Sequence, residues 1–454
     1  MGLFLPLPGC SSEPAEAVPR RVILVTLDTV RADHLSCYGY PLETSPFLDR
    51  LAREGVLFEN AFSSSSQTGP SHASLMSSLH PGQHGVEANS MLPDPTVPLA
   101  AEMFRDLGFE TGGFVSVRFL DSLKVGFRTF DNSIVEKDSL YREAHDTIAA
   151  AKAWIDERGP DDKWFLWLHL FDPHEWLRRP YSDAQALATI EGELTSWDTH
   201  AAFLAAAHGT QDATFPARHP FREALVDYDA RIRSVDRQLG ELFEAVDAAS
   251  SDPRQTMWVV TADHGEGLGS HGYLFHGQYV YDEQLRVPLI VHWPGGTPEG
   301  RGGRRVESLV RLIDVLPTFG DMFGFLQGTP RFQGTSLVGL LRGGPAPTID
   351  AAFAQRGEDA VKLKKGWEKG PIYALRTRDA KFIHHEHGTD EYYDLASDPL
   401  ETTNLVDGDG EASAILRLGQ DAVDLYRSSK GKEPVRRRDD EQTTKDLKGL
   451  GYTD

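Results

Sequence analysis

Residues Val22 to Leu27 form a continuous apolar, β-branched run that stops at Asp28. This is the pattern of a strand covered on both faces of a parallel sheet. Similar runs recur at Gly113 to Val117, Trp164 to Leu170, Met257 to Ala262 and Val287 to His292. Helical periods lie between them. Thr44-Ser45-Pro46 supplies a cap and a first-turn proline, Phe47, Leu48 and Leu51 follow at helical spacing, and Gly55 ends the segment. Thr96 to Gly108 repeats the pattern, and Phe221 to Ala249 predicts a long amphipathic helix. Strands alternating with helices predict an α/β fold around a mostly parallel central sheet flanked by helices. From about Ile349 the pattern changes to short strands, among them Ile372 to Thr377 and Lys381 to His384, which predicts a small C-terminal antiparallel subdomain. The expected layout is a leader and linker over 1–20, a catalytic domain over 21–348 and the subdomain over 349–454. Residues 177–220 lose strand periodicity and read as a helical insertion close to the site.

In parallel sheets ligands bind beyond the carboxyl ends of the strands, so the polar residues there carry the candidate chemistry. Asp28 follows the first strand; His169, Asp172 and His174 end or follow the Trp164 strand; Asp263 and His264 follow the Met257 strand. One acid or histidine at a strand end ordinarily caps a turn. Three strand ends delivering them together predict a site.

Composition narrows the function. With 46 Lys plus Arg against 68 Asp plus Glu the net charge is −22, which argues against a nucleic-acid binder, since such a surface must neutralise phosphates. At 40% hydrophobic and 25% charged residues the chain is globular in composition. Two cysteines, Cys10 and Cys37, form neither a disulfide framework nor a metal-ligand pair. No apolar run approaches the ~20 residues of a membrane span. Leu3 to Cys10, followed by a polar linker from Ser11 to Pro19, resembles the end of a bacterial lipoprotein signal, although the apolar stretch is short and no basic residue precedes it. With this leader, a membrane tether through Cys10 and a periplasmic or cell-envelope location are expected; without it, a cytoplasmic one.

The segment Ser63 to Gly85 reads SSSSQTGPSHASLMSSLHPGQHG. Thr68-Gly69-Pro70-Ser71-His72 leads into a helix, placing the Thr68 hydroxyl and nearby backbone N–H groups at a helix N-terminus, a natural anion site. Beside a metal, such a hydroxyl becomes a usable nucleophile. A Ser/Thr-rich cap without chemistry has the same local pattern.

Five separated motifs extend this reading: VILVTLDTVRADHLSCYG at Val22 to Gly39; TGPSHASL at Thr68 to Leu75, with His84-Gly85 after it; FDPH at Phe171 to His174; TADHGEGLGSHG at Thr261 to Gly272; and YDEQLRVPLIVHWPG at Tyr281 to Gly295. Together with Tyr392-Tyr393-Asp394-Leu395, Asp398-Pro399, Asn404-Leu405 and Leu450-Gly451-Tyr452, they resemble, in order and over almost the whole chain, the sulfatase family of the alkaline phosphatase superfamily. The resemblance implies a metal-dependent hydrolase of phosphate or sulfate esters. Its substrate would be a small-molecule, glycan-linked or lipid-linked ester.

The departures from the family pattern matter. Where sulfatases carry a Cys or Ser that is oxidised to formylglycine, this chain has Thr68, and the motif's Arg is His72. Thr nucleophiles occur in related phosphodiesterase and phosphoethanolamine or lipoteichoic-acid transferase branches, which act on phosphoryl groups. A Thr-bound intermediate has no elimination route and must be broken by water, so phosphoesters are favoured over sulfate esters. An arylsulfatase-like enzyme without formylglycine and a phosphoryl transferase are the alternatives, although the familiar transferases carry transmembrane helices. The resemblance assigns Asp28, Thr68, Asp263 and His264 to the metal. Thr29 and His264 stand where calcium-binding sulfatases often have a second acid and an Asn, which moves the preference from calcium or magnesium towards zinc or manganese. His276 and His174 are expected to stabilise substrate oxygens or bind a second ion, with His271 as a weaker candidate. The family's Lys-x-His pair is missing after the Gly113 strand, and Arg118 is expected to replace its Lys as an oxyanion clamp. Arg31 and Asp33 are expected to brace the first turn.

Overall fold

A computed structural model of the chain describes residues 18–134, 139–177, 181, 183–194, 219–296, 303–326, 332–347, 349, 351–358, 368–406, 411–428, 435–436 and 441–450. The Cys10 leader, most of the 177–220 insertion and the Gly451-Tyr452 ending lie outside these residues. Of the insertion, a helix at Ala184–Leu194 is described.

The strands, in chain order, are β1 (Arg21–Leu27), β2 (Val56–Phe62), β3 (Met91–Leu92), β4 (Glu110–Val115), β5 (Thr129–Asp131), β6 (Trp164–Leu170), β7 (Thr256–Ala262), β8 (Arg286–His292), β9 (Arg304–Arg311), β10 (Ala352–Arg356), β11 (Ile372–Arg376), β12 (Ala380–His385), β13 (Glu391–Asp394) and β14 (Val435–Arg436). Eight of them form one sheet in the order β5-β4-β6-β1-β7-β8-β2-β9. Only β8 runs against its neighbours; the other pairs are parallel. All seven residues of β1, β6 and β7 are buried, as a strand between two helical layers requires. Successive side chains of β6 alternate faces. Trp164 packs edge-on to Trp154 of the helix Ala144–Asp156, while Phe165 stacks at 4.3 Å on Phe104 of the helix Ala100–Asp106.

The mostly parallel sheet expected from the apolar runs is therefore present, with shifted limits where side chains are uninformative. The Gly113 strand begins at Glu110, because Gly112 and Gly113 offer no apolar side chain to the pattern; a Cβ there would meet Trp154 at 2.9 Å and Phe130 at 2.7 Å. The Thr96 helix starts only at Ala100, since Thr96 instead donates to Asp94 in a turn. The long amphipathic helix runs from His219 to Ala249.

The C-terminal strands β10 to β13 form an antiparallel sheet. One face packs Ile372, Ala374 and Ile383 against Phe62, Val280 and Leu285, and the other packs Tyr373 and Phe382 against Val423 and Tyr426 of the helix Glu411–Ser428. A buried charge network pins this sheet to the segment before β8. Lys381 of β12 is fully enclosed and binds Asp282 Oδ1 at 2.7 Å and Glu401 Oε1 at 2.6 Å, while Arg376 reaches the other Asp282 oxygen. Removing Lys381 would take the cation from buried Glu401 and leave Asp282 with Arg376 alone. Lys381→Ala is therefore expected to destabilise the fold by about 3–5 kcal/mol in urea denaturation, whereas Arg378→Ala, at an exposed side chain of the same sheet, should change little.

Candidate active site

The registers bring three strand ends level: Leu27 of β1 lies beside Leu170 of β6 and Ala262 of β7. Asp28 and Asp263 therefore emerge side by side, with His169 of β6, level with Thr26, two positions below. Asp28 Oδ2 hydrogen-bonds His169 Nε2 at 3.0 Å. Thr29 turns the chain away in a left-handed conformation, φ 59°, which is unusual for a β-branched residue and is found where function over-determines the backbone. The turn aims the Thr29 N–H at Asp263 Oδ1 (3.3 Å), and Tyr228 locks it by donating to the Thr29 carbonyl (2.7 Å). Asp263 Oδ1 also accepts the His264 N–H at 2.9 Å. Gly265 is required next, because its backbone passes against the Glu283 carbonyl where a Cβ would not fit.

Two carboxylate oxygens are left over. Asp28 Oδ1 and Asp263 Oδ2 are fully buried and receive no hydrogen bond. Burial pushes Asp28 well above the usual carboxyl range and the adjacent Asp263 charge adds to it, with His264 and the Thr68 hydroxyl opposing. Burial would also raise Asp263, but His264, His72 and His169 pull it below the ordinary value. Buried acids this close disfavour sharing two negative charges unless a cation joins them. Asp28, Asp263 and His264 each turn a ligand atom within 4.8 Å of the others, and among the described residues this is the group that fits a metal ion. The His264 tautomer fits too. Its Nδ1–H donates to the Gly265 carbonyl at 2.9 Å, so Nε2 presents its lone pair, the arrangement a metal-binding imidazole uses.

Thr68 opens the helix Thr68–Ser77, after Gln67. Its hydroxyl lies 3.2 Å from His264 Nε2, so the expected nucleophile joins the metal group. The helix end is less open to an anion than the sequence suggests, because the Gly69 N–H is held by Asn89 Oδ1 at 2.7 Å. His72, in the place of the family's Arg, is not a cationic clamp. Thr26 Oγ1 accepts from the Trp167 indole and so turns its own proton to His72 Nε2 (2.9 Å), while His72 Nδ1 donates to the Thr68 carbonyl (2.8 Å). Burial lowers its pKa to about 4, leaving a neutral brace beneath the nucleophile.

His174 and His276 meet at the same place. Their ring centroids are 4.9 Å apart, and His276 lies 4.6 Å from the His264 ring. Asp172, also at this strand end, turns inward and accepts the Ala144 N–H; burial raises its pKa to about 7. Two expectations change. Arg118 gives its guanidinium to Asp446 of the C-terminal helix at 2.9 Å, so a substrate oxyanion would have to compete with a nearly buried carboxylate for it. His271 turns to Glu283 and the Glu401 carbonyl and stacks on Tyr281. Its pKa of about 9, raised by those partners against burial, marks a structural ion pair. Arg31 pairs with Asp33 at 2.6 Å and braces the Glu266 and Gly267 carbonyls, as a turn support should. Asn89 and Glu266 were not picked out from the sequence; the second was in view within TADHGEGLGSHG, three residues after Asp263.

Comparison with known proteins agrees with this architecture. The Sulfatase family model matches residues 20–325, and the model described as N-sulphoglucosamine sulphohydrolase, C-terminal, matches residues 269–427. An uncharacterized sulfatase, YidJ, of Escherichia coli (strain K12) is 26% identical over 442 residues, covering 85% of this chain and 82% of its own. The N-acetylglucosamine-6-O-sulfatase of Bacteroides thetaiotaomicron is 24% identical over 493 residues, covering 88% and 85%. The crystal structure of the phosphonate monoester hydrolase of Agrobacterium radiobacter superimposes with a TM-score of 0.68 at 21% identity, covering 93% of this chain and all of that one.

Proposed function

Because the chain belongs to the sulfatase family and is a hydrolase of ester bonds, we propose that it cleaves phosphorus esters, phosphate or phosphonate, with Thr68 as the nucleophile. The observation that carries this reading is the Thr68 hydroxyl at 3.2 Å from His264 Nε2, beside the uncompensated oxygens of Asp28 and Asp263. Two carboxylates and one imidazole suit zinc or manganese better than calcium or magnesium. Such an ion, when bound, supplies Lewis-acid charge that lowers the pKa of a coordinated hydroxyl and stabilises developing negative charge.

The chain's own residues do the rest. His72 and Asn89 hold the Thr68 carbonyl and the next N–H, fixing the backbone that carries the hydroxyl. Attack forms a Thr68 Oγ–P bond as the hydroxyl loses its proton to solvent and the P–O bond to the leaving group breaks, the departing oxygen taking up a proton to leave as the alcohol. His174 and His276, in the doubly protonated form that carries a proton on Nε2 as well as on Nδ1, donate from Nε2 to the non-reacting oxygens, where charge builds in the transition state. Water then attacks phosphorus, the bond to Thr68 breaks in turn, and a proton of that water is returned to Thr68 Oγ to restore the hydroxyl. An aldehyde hydrate can expel its product by elimination, but threonine cannot; that difference favours phosphorus over sulfur. Sulfate-ester hydrolysis with the same nucleophile is the second reading, favoured by the similarity to the N-acetylglucosamine-6-O-sulfatase.

Matched nitrophenyl phosphate, phosphodiester, phosphonate and sulfate esters, each offered to the protein loaded with zinc, manganese or calcium, separate the two. Turnover is expected to be highest for a phosphorus ester with zinc or manganese. Turnover of the sulfate ester alone would reverse the substrate preference while keeping the site.

A further inference from the structure

The two histidines that face each other across the site are both backed by a glutamate. His174 Nδ1 lies 3.0 Å from Glu175 Oε1, and His276 Nδ1 lies 3.2 and 3.3 Å from the two oxygens of Glu266. Both acids are almost completely buried. A carboxylate in that setting persists only if its oxygens are satisfied, and Glu266 gathers two more donors, the Trp176 indole N–H and the Gly267 N–H, each at 3.2 Å. Trp176 belongs to the loop that carries His174 and Glu175, after β6, whereas Glu266 belongs to the loop after β7. One carboxylate therefore fastens the two histidine-bearing loops to each other.

We propose that Glu266 and Glu175 are positioning residues that fix the ring plane of His276 and His174 and the proton on each Nδ1, so that the Nε2 side of each ring, a donor once the imidazole is protonated, faces the oxygens of the substrate. The task given to the histidines rests on the reading above; the geometry of the pairs does not. An ionised carboxylate only accepts, so each Nδ1 must be the N–H, and Nε2 becomes the nitrogen on the far side of the ring. Rotating either imidazole would break its carboxylate pair. With the rings 4.9 Å apart, the glutamates hold the spacing as well as the orientation. A glutamate that merely stiffened its loop would leave the protein sensitive to its loss even when the histidine is gone.

That difference is measurable on the full-length, zinc-loaded protein. Glu266→Gln is expected to lower kcat for the best ester by about 10–100-fold, the usual effect of losing a partner that orients a functional imidazole, with KM changed far less. The double variant His276→Ala, Glu266→Gln should be no slower than His276→Ala alone, because both changes remove one unit. The Glu175→Gln and His174→Ala pair should behave alike. Losses that multiply in the double variants would overturn the proposal. So would a wild-type kcat in Glu266→Gln.

A second readout does not need turnover. Nitrogen-15 correlation spectra of the imidazoles, taken above their titration, should show His276 and His174 as Nδ1–H tautomers in the wild type, with His276 becoming mixed in Glu266→Ala. A wild-type His276 carrying its proton on Nε2 would overturn the proposal. If no ester is hydrolysed but the tautomers are as expected, the functional reading fails and the positioning role stands.

Discussion

Thr68→Ala is expected to lower turnover of the best ester by at least about 10³-fold, equivalent to about 4 kcal/mol of transition-state stabilisation, with zinc still bound. The hydroxyl contacts His264 Nε2 and hydrogen-bonds the Asp28 carboxylate, while Asp28, Asp263 and His264 keep their three ligand atoms together without it. The backbone braces from His72 and Asn89 act on the Thr68 carbonyl and the Gly69 N–H, so they survive the substitution. Thr68→Ser restores the hydroxyl and should recover most of the rate. If Thr68→Ala keeps near wild-type turnover, the attacking group is something other than this side chain. Quenching a single turnover of a labelled phosphorus ester should also trap label on the peptide containing Thr68 in the wild type and none in Thr68→Ala.

The second large effect concerns the ion. Asp263→Asn keeps an oxygen for the Thr29 and His264 N–H groups but replaces the uncompensated Oδ2 with a neutral amide. Zinc affinity should fall by well over the ~10–100-fold typical of an outer-shell change, and activity at limiting zinc should fall with it. Stability should move in opposite directions with and without metal. Zinc at 1,000 times its dissociation constant is expected to stabilise the wild type by about 4 kcal/mol, and this increment should vanish in the variant. Without metal, Asp28 no longer faces a second buried charge, so the metal-free variant should melt no lower than the metal-free wild type. Calorimetry of both proteins, with zinc and with a chelator, checks all four values. A metal-free variant that melts far below the metal-free wild type would mean that Asp263 serves the fold before it serves an ion.

How much of this was legible in the sequence differs by element. The central strands were, because β1, β6 and β7 are buried on both faces and an unbroken apolar run has few other uses; β6 occupies Trp164–Leu170, the expected limits. β2, β5 and β9 were not read, since polar residues such as Glu59, Asn60 and Glu307 interrupt their apolar pattern. The family and the class of reaction were legible because motifs fix which residue types stand at successive strand ends. Asp28, Asp263 and His264 follow the ends of β1 and β7, which the parallel registers bring level, whereas Thr68 opens the helix after β2 and is marked by its motif.

The partner of each side chain near those ends is set by the packed chain. Arg118 finds its carboxylate 328 positions along the chain at Asp446, and His271 finds the carbonyl of Glu401 across 130. No local pattern encodes such partners, because a long side chain goes to whichever buried charge the packed chain brings within about 3 Å. His72 shows the same limit at short range. In the sequence it replaces an arginine and suggests a cation; in the fold, full burial and the proton turned to it by Thr26 make it neutral. The order of amino acids carries the residue types and the strand ends at which they emerge. Burial and long-range pairing, which exist only once the chain is packed, determined their protonation, their orientation and their partners.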